Sequence, residues 1–198
     1  MDETAAPTSP TGAAPVMDRI TAAVERSRRG DVEAAAAEFD ALWDELTGPD
    51  GDPFHRCVLA HYAADVQPDP HAELLWDERA LAAAAGASDD SAQAHHPSLR
   101  IAGFYPSLHL NLADVLRRLG DHGRAREHVE AARARMGDLP DDEATAGYRE
   151  TIRTALDRVE RDLDAASQNH SSFMSTVVRS TLASRSSHGP VRGSSWRR

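Results

Sequence analysis

One spacing occurs twice in this chain and limits what it can fold into. Ala23, Gly30, Asp31, Ala35 and Phe39 stand at the offsets A-x6-G-D-x3-A-x3-F. Ala113, Gly120, Asp121, Ala125 and Val129 stand at the same offsets, with valine in the closing place. Three residues further on, each copy has another apolar residue, Leu42 and Ala132. The alanines suit places where two antiparallel helices approach too closely for a larger side chain. The Gly-Asp pair turns the chain and starts the next helix. The large apolar residue fills the space between successive hairpins. A degraded copy lies between the two, in which Ala60, Gln67, Pro68, Ala72 and Trp76 keep the offsets without Gly-Asp. There Asp69 before Pro70 supplies the helix start. The copies are 37 and then 53 residues apart, so the second interval holds about 19 extra residues, roughly Ala82 to Arg100.

Composition and punctuation agree on helices. Alanine, leucine, arginine and glutamate dominate the middle of the chain, and β-branched residues are too sparse for a sheet. The pattern predicts a first helix from about Pro15 to Arg29, closed by Gly30, and a second after Asp31 with Val32, Ala35, Phe39, Leu42 and Leu46 in one stripe. Asp52-Pro53 starts a third helix, to about Val66, and Asp69-Pro70 a fourth, ended by Gly86. The stretch SLRIAGFYPSLHLNLADVLRRL reads either as one helix kinked at Pro106 or as a short helix followed by another from near Tyr105. Asp121 caps the next. A last helix carries Tyr148, Ile152, Leu156, Val159 and Leu163 on one face. The fold class expected is all-α, built from antiparallel helix–turn–helix units.

The copy NLADVLRRLGDHGRAREHVEAA, and less closely AAVERSRRGDVEAAAAEFDAL, resembles the tetratricopeptide repeat (TPR), whose pattern W-x2-L-G-x2-Y…A-x3-F…P lies on a helix–turn–helix. The resemblance covers about 120 of the 198 residues. No copy has the opening tryptophan or the closing proline, and Arg26, Ala63 and Leu116 stand where tyrosine is usual. It implies a degenerate three-hairpin array, a right-handed α-solenoid, with residues 141–165 as a terminal capping helix.

The ends differ from the middle. Residues 1–14 are Pro, Thr, Ser, Gly and Ala-rich, and residues 167–198 are serine-rich with five arginines and no acid. Both are expected to be disordered tails around a helical domain at 15–166. The whole chain has 32 acidic and 22 basic residues, all of the latter arginine. The 15–166 segment alone holds 30 acids and 17 arginines, so duplex nucleic acid is not an expected partner. The one cysteine, Cys57, forbids an internal disulfide and reads as a small buried hydrophobe. With no apolar run of membrane length and no signal-like start, the chain is expected to be cytoplasmic.

No catalytic constellation stands out, and the chain is not expected to be an enzyme. The ten histidines show no ligand spacing: His55–His61 and His122–His128 are six apart, on different helix faces. Neither a metal nor a cofactor is expected. Paired acids such as Asp44–Glu45 and Asp77–Glu78 read as solvated faces. The TPR resemblance implies instead that the first helix of each hairpin lines a concave groove. It gives Met17, Ile20, Thr21, Val24, Ser27 and Arg28 from the first copy. Phe54, Cys57, Val58, His61, Ala64 and Asp65 follow from the second, and Ser107, Leu110, Asn111, Asp114, Arg117 and Arg118 from the third. The residues expected to touch a bound protein or peptide are Phe54, His61, Asp65, Asn111, Asp114, Arg117 and Arg118, the two arginines being able to meet a carboxylate. Members that clamp a peptide C-terminus use lysine and asparagine early in the array, where this chain has Ile20 and Val24. The alternative expectation is a small-molecule pocket closed by the 82–105 insert, near Trp76, Tyr105 and His109.

Overall fold

The computed structural model describes residues 15–48 and 51–186, with side chains as far as Gln168. The tail expected at 1–14 and the end of the tail expected at 167–198 lie outside the described residues. Among the described residues all regular structure is helical: α1 (Val16–Arg28), α2 (Val32–Leu46), α3 (Pro53–Ala64), α4 (Pro70–Gly86), α5 (Asp89–His95), α6 (Tyr105–Arg118), α7 (His122–Arg135) and α8 (Glu143–Ser186), with 3-10 turns at Ile101–Phe104 and Met136–Asp138.

The Gly-Asp pairs make two copies of one turn. Gly30 has φ +92° and Gly120 φ +83°, the left-handed region where glycine carries no Cβ penalty. Gly30 N–H donates to Ser27 O and Asp31 N–H to Arg26 O. Gly120 N–H and Asp121 N–H donate likewise to Arg117 O and Leu116 O. This pair of bonds is the Schellman motif, which satisfies the last carbonyls of a helix while turning the chain. The caps differ: Asp121 Oδ1 accepts from Arg124 N–H at 3.2 Å, whereas the Asp31 side chain makes no capping bond. Asp52 and Asp69 cap α3 and α4 ahead of their prolines, as the sequence predicts.

Helices α1 and α2, α3 and α4, and α6 and α7 pack as pairs. The repeated alanines lie at the contacts, with Ala23, Ala35, Ala60, Ala113, Ala125 and Ala132 all buried. Phe39, Trp76 and Val129 fill the spaces beside them. Trp43 of α2 meets Trp76 of α4 edge to face at 5.2 Å, and the Arg79 guanidinium covers both rings. Each fully buried leucine or phenylalanine contributes about 1.5–3 kcal/mol. These side chains form two clusters. The larger spans α1–α4 and reaches the insert through Ala92 and Ile101, and α6 through Leu108. The other joins Ala113, Leu116, Ala125, Val129 and Ala132 to Ile152, Leu156, Val159 and Leu163 of α8. Tyr148, grouped with that stripe in the sequence, is 41% exposed.

The insert is ordered into α5, capped by Ser88, and a 3-10 turn. Pro106 lies in the first turn of α6, where its missing N–H leaves no bond unmade, so the helix begins there and does not kink. α8 continues through Ser186, past the boundary expected at 166. No described helix is long and apolar enough to cross a membrane.

Candidate functional site

A polar cluster sits at the seam between the two cores. On α6, Asn111 lies between Leu108, in the first cluster, and Ala113, in the second. Its Nδ2 stands 3.4 Å from Oδ1 of Asp77 on α4 and 3.4 Å from Nδ1 of His61 on α3. Asp77 is 1% exposed, and its Oδ2 is buried with no hydrogen-bond partner. An orphaned buried polar atom costs about 1–3 kcal/mol, more when charged. Burial pushes the Asp77 carboxyl up to about 7; the Asn111 amide draws it down, Glu73 and Asp65 push it further up, and Arg118 opposes them. The carboxyl of Asp65, at the C-terminal end of α3, is raised too, by desolvation against the pull of His61, although the residue is exposed. The His61 imidazole is held below its ordinary value by burial, against the pull of Asp65.

The arginines beside this cluster are already engaged. Arg118 pairs with Glu73 and, at 3.1 Å, with Asp114. Arg117 pairs with Asp114 at 2.8 Å and with Asp162 of α8 at 3.5 Å. Their chain carboxylates satisfy the chemistry that the sequence assigned to a partner's carboxylate.

Of the residues expected to touch a partner, the structure gathers His61, Asp65, Asn111, Asp114 and Arg118 into one cluster, with Arg117 beside it. Phe54 lies elsewhere: it is 1% exposed, stacked at 5.3 Å on His95 and edge-on to Phe104 at 5.9 Å, where it fastens the insert to α3. Ile20, Cys57 and Ala64, placed in the groove by resemblance, are also buried in the core. Val24, Ser27 and Arg28 of α1 do share a cleft of about 190 Å³ with Tyr62, Asp65 and Val66.

Sequence reasoning missed Glu73 and Asp77. Asp77 with Glu78 reads as a solvated face, and this is corrected for Asp77, which is buried while Glu78 reaches out to Arg124 at 2.8 Å. The signal was available: Asp77 stands one turn from Glu73 and from Ala80 and two turns from Ala84, on the buried stripe of α4. Two histidine pairs were also missed because each joins different helices. His55 Nε2 lies 2.8 Å from His95 Nε2, and His109 Nδ1 lies 2.9 Å from His128 Nδ1. Among the described residues, no three His, Cys, Asp or Glu side chains are grouped so as to hold a metal ion.

The insert walls a second cavity, of about 330 Å³. Leu99 and Phe104 face Leu139, Pro140, Ala144 and Tyr148 there. Trp76 packs on Trp43 instead, and Tyr105 lies against His109 and beneath the Arg135 guanidinium. No family model matches the chain, and neither a curated protein nor a solved structure matches it.

Proposed function

We propose that this is a non-enzymatic, cytoplasmic helical-repeat protein of tetratricopeptide type that holds another protein or a peptide on the face of α1, α3 and α6. Two Schellman turns with the same donors and acceptors, 90 residues apart, support the repeat reading. The observation that carries the binding reading is that side chains from the first helices of the three hairpins come together, although α6 itself packs on α4. Val24, Ser27 and Arg28 of α1 share a cleft with Asp65 of α3, and His61 of α3 contacts Asn111 of α6. A face built by rigid, packed helices is largely preformed, which lowers the ordering cost of binding.

The test is selection of a random peptide library on the whole chain, followed by mapping on a Ser27→Trp variant that fills the α1–α3 cleft. Selected peptides should bind wild type and lose about tenfold or more in affinity on the variant. Peptides that bind both proteins equally would overturn the assignment of the face.

The 330 Å³ cavity beside Tyr148 favours a second reading, a helical regulatory domain that takes a small apolar ligand against the insert. A ligand screen by thermal shift, repeated on Phe104→Ala, separates it from the first. Hits on wild type that vanish on the variant support it, and none at all removes it.

A further inference from the structure

We infer that the carboxylates of Asp65 and Asp77, with His61 and Asn111, form a receptor for the cationic head of an arginine or lysine side chain in the bound segment. The inference rests on the docking face proposed above and names the chemistry of what docks there.

Charge pairing around the seam leaves an imbalance. Four carboxylates meet there, from Asp65, Glu73, Asp77 and Asp114. Arg118 serves Glu73 and Asp114, and Arg117 serves Asp114 and Asp162. Among the described residues, neither Asp65 nor Asp77 has a cation within ion-pair distance. Oδ2 of Asp77 is in addition a buried acceptor with no donor. A guanidinium or ammonium brings both the positive charge and the N–H groups this oxygen lacks. The Asn111 amide reaches Oδ1 of Asp77 and not Oδ2, and both its contacts are 3.4 Å long, at the outer limit of hydrogen bonding, so a donor arriving at Oδ2 breaks no strong bond.

The adjoining cleft suits the rest of such a side chain. Val24, Tyr62 and Val66 offer apolar surface next to the Asp65 carboxylate. An aliphatic stem lies along apolar surface with its charged head at a carboxylate, the arrangement long basic side chains favour. The surrounding domain, with 30 acids against 17 arginines, attracts a basic segment from a distance. Arg28 is the cation that lines the same cleft, and it opposes the guest. The groups facing Asp77 are Glu73 on its own helix, Asp65 at the end of α3, and Asn111 and Arg118 on α6, with His61 on the other side of the Asn111 amide. With the Asp77 carboxyl raised to about 7, part of it carries a proton near neutrality. Docking a cation favours the carboxylate, so that proton leaves to solvent as the guest enters.

The experiment is isothermal titration of the full chain with the peptide Ac-(Gly-Arg)3-NH2 and with its counterpart carrying neutral, isosteric citrulline in place of arginine. It is run between pH 6 and 8 in two buffers of different ionisation enthalpy. The arginine peptide should bind with proton release, and the citrulline peptide about tenfold more weakly or not at all. Asp65→Asn and Asp77→Asn should each lose about tenfold in affinity, Asp77→Asn should also lose the proton release, and Arg28→Ala should bind more tightly. Asp40→Asn, on the exposed face of α2, removes the same charge and should change nothing. Equal binding of the two peptides, or an Asp40→Asn loss as large as that of Asp65→Asn, would overturn the receptor. So would an Asp77→Asn variant that kept both affinity and proton release. If library peptides occupy the α1–α3–α6 face without basic residues, this inference falls while the docking function stands.

Discussion

Replacing Asp77 by asparagine should stabilise the protein at neutral and alkaline pH, and the gain should disappear in acid. The folded chain holds the Asp77 carboxyl up at about 7, against about 3.9 for an aspartate in an unfolded chain. Between those values the unfolded state gives up the proton while the folded state keeps it. Unfolding therefore becomes easier as pH rises from about 4 to about 7. At about 1.4 kcal/mol per pH unit the full linkage approaches 4 kcal/mol above pH 7. Asparagine removes the charge and keeps an oxygen to face Asn111. Its amide N–H groups, however, enter a site with an orphaned acceptor position and return part of the gain, about 1–2 kcal/mol. A net stabilisation of about 2–3 kcal/mol at pH 8 is expected, or about 5–10 °C in Tm for a domain of this size. At pH 4.5 the two proteins should be equal to within about 1 kcal/mol. The assay is urea unfolding followed by helical circular dichroism at pH 4.5, 6, 7 and 8, read as the difference between variant and wild type. His61, Asp65 and His109, which also titrate away from their ordinary values, are present in both proteins and largely cancel in that difference. A difference that stayed flat across this range, or a variant less stable at pH 8, would refute the burial argument.

The hairpin turns yield two further outcomes. A Cβ on Gly30 or Gly120 meets nothing within 4 Å, so alanine at either position costs only its left-handed backbone, about 1–2 kcal/mol in urea unfolding. An unchanged midpoint would contradict the turn geometry. Asp121→Ala should cost about 1 kcal/mol, because it removes a real cap, and Asp31→Ala less, because none is made there. Equal losses in the same assay would show that the two turns are capped alike. The Cys57 thiol is buried, and burial pushes it up to about 12, so at pH 8 it should not react with Ellman's reagent until the chain is unfolded in guanidinium. Stoichiometric colour from the native protein within seconds would place the thiol at the surface.

Local signals carried most of the helical architecture. Proline after aspartate marks the starts of α3 and α4 because both parts of the device act within two residues. The α8 stripe is legible because its period holds over about three turns, from Ile152 to Leu163. Tyr148 departs from it because the neighbours at that end of α8 are the insert turn and Leu139–Pro140, which leave a cavity beside the ring. At the site the sequence supplied residues and the fold supplied their meaning. Asp114 stands one turn from Arg117 and Arg118 on α6, a local pairing, but Glu73 on α4 and Asp162 on α8 meet them only when the helices pack. Phe54 has the composition of a groove anchor, but the insert lies over it, and no periodicity in α3 reports a cover that arrives 40 residues later.

Asp77 is the residue where local and global demands conflict, and its position explains how the chain tolerates it. An acid on the buried stripe of α4 sits where Trp76, Ala80 and Ala84 bury their side chains, and an apolar residue there would join the two cores across α6. The chain keeps them apart instead, with Asp77, His61 and Asn111 in the gap. Each is held only by long contacts or left without a partner. A seam of this kind weakens the contact between the third hairpin and the first two, since about 1–3 kcal/mol of unmet hydrogen bonding sits on one atom. Stability alone selects against such an arrangement, and destabilised polar groups of this type concentrate where a protein binds. The same charge that weakens the empty seam strengthens it once a cation fills it. The stability lost in the free chain and the affinity for a basic side chain therefore have one source, and the Asp77→Asn variant should change both in opposite directions.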